Sequence, residues 1–152
     1  METTLIILKP DALQRGLAGR LITRFEERGM EILGMSMEVL DRSKVQEHYD
    51  EHKGRPFFES LVGFMTSAPA VLIALRGLRA IQVCRTMIGA TEGCTALPGT
   101  IRGDFCQFRT YNLIHASDGP VAATRELNLW FPALRVDETK FNRLDSHYVF
   151  GI

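Results

Sequence analysis

The sequence predicts an α+β fold in a single domain over residues 1–152, with a mixed sheet of about four strands and helices covering one face. Three observations lead there. Short apolar runs alternate along the chain with segments of helical spacing. No repeat, low-complexity tract or linker divides the 152 residues, a length that suits about one domain. Composition is that of a globular protein, 45% hydrophobic and 24% charged.

The elements follow in order. Leu5–Leu8 reads as a short buried strand, punctuated by Pro10. Leu13, Leu17, Leu21, Ile22 and Phe25 then recur at helical spacing, with Asp11 as the expected cap and Gly29 as the expected stop. Arg20, Arg24 and Arg28 line another face of that helix; Glu26 and Glu27 interleave with them, so the face reads as solvated. Residues 32–39 alternate as a strand. Ser43–His52 reads as a polar helix capped by its serine, and Phe57–Met65 as a more apolar helix after Arg55-Pro56. Ala70–Leu75 reads as a second buried strand, and Leu78–Ile88 as a helix. Residues 89–103 lack periodicity, and a loop of that length in a compact domain is usually functional. Asn112–Ala116 reads as a last short strand. Pro120 opens a final helix to Leu129, at a first-turn position where its missing N–H does no harm, and Pro132 closes it.

Lys and Arg number 18, as do Asp and Glu, so no basic excess exists to coat a nucleic acid. The longest uncharged apolar stretch, Ser67–Leu75, falls far short of the roughly 20 residues a membrane helix needs. The N-terminus has no basic start and only four apolar residues in a row, so no secretion signal is read. Cys84, Cys94 and Cys106 are odd in number without Cys-x-x-Cys spacing; they read as free thiols in a cytoplasmic protein.

Neither phosphate-cradling glycine loop, Gly-x-x-x-x-Gly-Lys-[Ser/Thr] or Gly-x-Gly-x-x-Gly, occurs. His48 and His52 stand four apart on an expected helix, a spacing that can bind a metal, but no third ligand is evident. Arg102–Phe108 has the outline of an RNA-stacking strand, with Asp104 where an aromatic belongs. Lys9 follows the first strand and Arg85 lies on a helix; alone, each reads as a surface charge. His115 ends an apolar strand amid Asn112, Ser117, Asp118 and Glu126. A histidine near its reference pKa of about 6.5, oriented by a carboxylate, suits a nucleophile or a general base.

Several ordered segments resemble the nucleoside diphosphate kinase family over about Thr3 to Phe131. They are Ile7-Leu8-Lys9-Pro10-Asp11 with Gln14-Arg15-Gly16-Leu17, His48-Tyr49, Arg55-Pro56-Phe57-Phe58, the run from Pro98 to Phe105, the run from Asn112 to Asp118, and Leu129-Trp130-Phe131. The resemblance implies a ferredoxin-like βαββαβ core with a four-stranded antiparallel sheet and helices on its faces. It implies γ-phosphate transfer from a nucleoside triphosphate to a nucleoside diphosphate through a phosphohistidine, in two half-reactions at one site. His115 then corresponds to the nucleophile, Glu126 to the carboxylate on its other ring nitrogen, and Ser117 to a supporting partner. Lys9, Tyr49, Arg85, Thr91, Arg102 and Asn112 correspond to phosphate and ribose contacts. Phe57, with Leu61 beside it, corresponds to the ring that stacks on the base, and every base has a π-face, so low base selectivity follows. Mg²⁺ would arrive on the nucleotide phosphates.

The resemblance also implies a homo-oligomer. The tail from Pro132 onward favours a hexamer over a tetramer, and neither a membrane nor a nucleic-acid partner is expected. Ala116, Gly119, Arg109 and Gly93 depart from the family's usual Gly, Ser, small apolar residue and Pro. Ala116, Gly119 and Arg109 motivate a second reading, a nucleotide-binding regulator or scaffold with weak transfer, while Gly93 falls in a loop that packs at subunit contacts in the family.

Overall fold

The computed structural model describes residues 1–134. β1 (Glu2–Leu8) turns at Pro10 into α1 (Pro10–Gln14) and α2 (Ala18–Glu27). The single helix expected here is broken at Gly16, whose φ of +65° a side chain would resist. Asp11 caps nothing. It lies inside α1, and its carboxylate accepts the N–H of Leu113. β2 (Glu31–Glu38) precedes α3 (Arg42–His48), which begins one residue before Ser43 and is capped by Asp41, an acceptor for the N–H of Lys44. α3 also ends at His48; His52 belongs to a separate 3₁₀ turn, Asp50–His52.

α4 (Phe58–Met65), β3 (Ala70–Gly77) and α5 (Ala80–Ile88) follow as expected within two residues. The long loop after Ile88 contains a 3₁₀ turn, Gly93–Thr95, and a short helix, α6 (Ile101–Phe105). β4 (Ile114–Ala116) leads to α7 (Pro120–Trp130), with Pro120 at the first helical position. None of the described helices is long and apolar enough to cross a membrane.

The four strands form one sheet in the order β2-β3-β1-β4, and every pairing is antiparallel rather than mixed. Helices cover both faces, as the family resemblance implies, and not the one face that the alternation alone suggests. The cause is legible in β1, where Leu5, Ile6, Ile7 and Leu8 are all fully buried. Successive strand side chains point to opposite faces, so an unbroken apolar run needs a core on each side. Ile6, Leu8, Val71, Ile73 and Leu75 pack with Leu21 and Phe25 of α2 and Cys84 and Ile88 of α5. Leu5, Ile7 and Leu72 pack with Val45 of α3, Val62 and Met65 of α4, and Trp130 of α7.

The two-faced sheet makes a direct prediction. Leu72→Ala and Ile73→Ala remove adjacent β3 side chains from opposite cores. Each is expected to lower unfolding free energy in urea by about 2–5 kcal/mol. A sheet with one solvated face would leave one of the pair near neutral.

Candidate active site

β4 pairs with β1 so that His115 lies opposite Ile7. Ile114 and Ala116 on either side face the core beneath α5, which turns His115 towards the opposite face, where α3 and α7 lie. Its Nε2 is 3.0 Å from Oε2 of Glu126, and Ser117 Oγ donates to the same oxygen at 2.6 Å. The N–H of Leu5 donates in turn to Ser117 Oγ at 3.2 Å. Burial disfavours the charged form of Glu126, but the bond and charge of His115, with help from the Ser117 hydroxyl, outweigh it and hold the carboxyl at about 2. An ionised carboxylate only accepts, so Nε2 carries the proton and Nδ1 of the neutral ring keeps its lone pair. The His115 side chain is 20% exposed, a half-buried setting.

The cations gather at the same end of the sheet. Lys9 follows β1, and its Nζ donates to Asn112 Oδ1 at 2.7 Å; Asn112 Nδ2 donates to the Thr91 carbonyl at 3.1 Å. Burial first, and then the Arg102 charge, push the Lys9 amine down to about 8. Arg102 is buried and donates to the carbonyls of Asn112, Gly89 and Ile114 at 3.2, 3.1 and 2.6 Å. Burial and Arg85 bring its guanidinium down to about 10. Arg85 reaches the Ala116 carbonyl at 3.4 Å. Thr100 caps α6 by accepting the Gly103 N–H at 3.0 Å. A Cβ on Gly103 would overlap the Leu97 carbonyl, so glycine there lets the loop deliver Arg102.

Tyr49, just beyond α3, has its ring centroid 6.4 Å from that of His115. Its hydroxyl is buried without a partner among the described residues, and burial pushes the phenol upward. Phe57 stands at the rim, 50% exposed, its ring 5.4 Å from that of His52. Leu61, four residues on, shares its side of α4 and packs on the core below. Thr91 is exposed on the loop. The structure thus gathers Lys9, Asn112, Thr91, Arg85, Arg102 and Tyr49 around residues 112–116, with Phe57 and Leu61 on the neighbouring hairpin.

His48 was not among the expected site residues. Its ring meets His115 edge to face at 4.6 Å, and Trp130 Nε1 donates to its Nδ1 at 3.2 Å. Burial and the neighbouring His115 push it down to about 3, so it is neutral. With Nδ1 accepting, Nε2 bears the proton. His48, His115 and Glu126 are the one cluster of metal-ligating type among the described residues; His115 Nε2 and Glu126 Oε2 face each other at 3.0 Å, and His48 Nε2 has no partner among those residues. The pairing of His48 with His52 does not occur, because α3 ends between them. In the sequence His48 stands out only as a possible metal partner of His52 and as part of the His48-Tyr49 segment; neither signals its contact with His115.

The RNA-stacking strand is overturned as well, since Ile101–Phe105 is a helix and Arg102 is buried. The departures are accommodated. Ala116 sits fully buried in the extended conformation of β4, with no positive φ. Gly119 precedes α7 without a side-chain cap, and a Cβ there would meet nothing within 4 Å. Gly93 lies against Cys106, where a Cβ would come within 2.6 Å of Sγ. Arg109 is exposed.

The family described as Nucleoside diphosphate kinase matches residues 2–136. A nucleoside diphosphate kinase of Thermococcus kodakarensis is 53% identical over 134 residues, covering 86% of this chain and 77% of that protein. One of Methanosarcina acetivorans is 46% identical, covering 96% and 97%. A solved halophilic nucleoside diphosphate kinase of Halobacterium salinarum, in complex with CDP, superimposes with a TM-score of 0.91 at 39% identity, covering 98% of each chain. With the family pattern spanning nearly all the described residues, the chain belongs to the nucleoside diphosphate kinase family.

Proposed function

We propose that the chain transfers the γ-phosphate of a nucleoside triphosphate to a nucleoside diphosphate through a phosphate carried on Nδ1 of His115. The chain is a nucleotide phosphotransferase of its family. The observation that carries the route is the 3.0 Å contact between His115 Nε2 and Glu126. It fixes the tautomer that leaves Nδ1 free to attack. In the first half-reaction the Nδ1 lone pair forms the N–P bond while the bond from phosphorus to the β–γ bridging oxygen breaks. The nucleoside diphosphate leaves with that electron pair. The ring becomes cationic and keeps its Nε2 proton, facing the Glu126 carboxylate. In the second, an oxygen of another nucleoside diphosphate attacks phosphorus, and the N–P electron pair returns to the ring.

Phosphoryl transfer of this kind is mostly positioning and charge stabilisation. Lys9 brings a cation to the phosphates. Arg85 and Arg102 each carry five N–H donors, more than their carbonyl contacts use, so donors remain for phosphate oxygens. The unpartnered Tyr49 hydroxyl and the exposed Thr91 are further contacts, and Asn112 takes the ribose end. Phe57 and Leu61 form the platform for the base, which supports low base selectivity. Mg²⁺, bound through the phosphate oxygens, would neutralise their charge; the cationic lining fits a cation held by nucleotide rather than by protein carboxylates. Residues 1–152 act as a single such domain, and the chain works as a homo-oligomer, a hexamer over a tetramer. Exposed Met35 and Met37 on the edge strand β2, with exposed Val39 just after it, support self-association. Most of the tail that favours the hexamer lies outside the described residues. The free cysteines support a cytoplasmic location.

Incubation with γ-labelled ATP is expected to place an acid-labile label on the wild type and none on His115→Ala. Equal labelling of both would sink the route. A scaffold with weak transfer would bind nucleotides without turnover between two of them. The Lys9 amine, cationic below about 8 and neutral above, gives a second test. As pH rises through 8, kcat/KM for the nucleotide should fall, and Lys9→Arg should carry that limb upward. A profile flat to about pH 10 would remove Lys9 from phosphate capture.

A further inference from the structure

Leu113 has φ +70°, and Arg79 is the only other non-glycine residue with positive φ among those described. The N–H of Ile114 donates to the Asn112 carbonyl at 2.8 Å, so residues 112–114 form a γ-turn directly before His115. A leucine resists this conformation, and Leu113 is fully buried in the core beneath α5. Something must hold it there. The Lys9 N–H donates to the Leu113 carbonyl at 2.9 Å, and Arg102 holds the carbonyls on either side. The Leu113 N–H has one acceptor, Oδ2 of Asp11, at 3.1 Å and 102 residues away in sequence. Asp11 is itself buried, and its Oδ1 has no partner among the described residues. Burying a carboxylate with an idle oxygen is costly, and α1 is too short to explain it.

We propose that Asp11 is a positioning residue for phosphoryl transfer: its hydrogen bond to the Leu113 N–H holds the γ-turn that sets His115 against Lys9 and Asn112. Without that acceptor the Leu113 N–H is a buried orphan, and the turn relaxes towards extended backbone. The strand after it, which pairs with β1 at three positions, then shifts against β1. Asp11 touches no reacting atom; it acts through the backbone. This rests on His115 as the phosphate carrier.

The test is the single-turnover rate of His115 phosphorylation by ATP in Asp11→Asn, Asp11→Glu and Asp11→Ala. Circular dichroism and nucleotide affinity are measured alongside. Asp11→Asn keeps an acceptor at the same reach without the charge. Asp11→Glu keeps the charge and moves the acceptor by one methylene. The hydrogen-bond role predicts that Glu and Ala each slow transfer on the order of 10²-fold, the cost of misplacing a reacting group by about 1 Å, while Asn recovers most of the rate. The Asn and Glu variants decide the matter even if Ala does not fold. A fast Glu variant with a slow Asn variant would assign Asp11 a charge role and overturn the proposal. So would a wild-type rate in all three, or rates that follow loss of folded protein. If His115→Ala still accepts phosphate, the carrier reading fails instead, which the label distinguishes.

Discussion

Everything at the site hangs on one carboxylate oxygen. Oε2 of Glu126 accepts from His115 Nε2 and Ser117 Oγ, and Ser117 accepts from the backbone of β1. That chain of bonds ties α7, β4 and β1 together at a buried point. It decides the tautomer of His115, and so which nitrogen can act. The carboxyl stays ionised because the donors around it outweigh the burial that opposes its charge. The fold can keep a buried anion there because α7 packs on one face of the sheet through Trp130, whose indole N–H also fixes His48 beside His115.

The cations obey the opposite logic. Lys9 and Arg102 are both buried, and burial lowers both, helped by the Arg102 charge at Lys9 and by the Arg85 charge at Arg102. Their donors reach Asn112 and backbone carbonyls. Phosphate oxygens would supply the missing negative charge, which makes binding and charge compensation one event. The overall balance of 18 against 18 charges therefore describes the whole surface rather than the site. It shows no basic excess overall and says nothing of the local cluster of Lys9, Arg85 and Arg102.

Much of the fold was legible because it rests on local periodicity. The apolar runs at Leu5–Leu8 and Ala70–Leu75 gave two central strands, and Pro120 gave the start of α7. The alternation alone suggests one covered face, because an unbroken apolar run does not show by its period that it is two-sided; the family resemblance carries the second face. The long loop was recognised by its lack of periodicity, yet α6 within it was not, since five residues carry too little pattern. His115, Glu126, Lys9 and Arg102 were found by motif. His48 and Asp11 lie within the matching segments too, but their parts depend on contacts 67 and 102 residues away, which no spacing encodes. Gly119 and Ala116 looked disruptive in sequence but sit where the backbone asks nothing special of them.

The central claim is that Glu126 fixes the Nε2 proton and leaves Nδ1 to take the phosphate. The most direct measurement is ¹H–¹⁵N correlation NMR of the ¹⁵N-histidine protein, phosphorylated with ATP. The account predicts that the phosphate-bearing nitrogen is Nδ1 of His115, with Nε2 still protonated. Phosphate on Nε2, or on another residue, would contradict it.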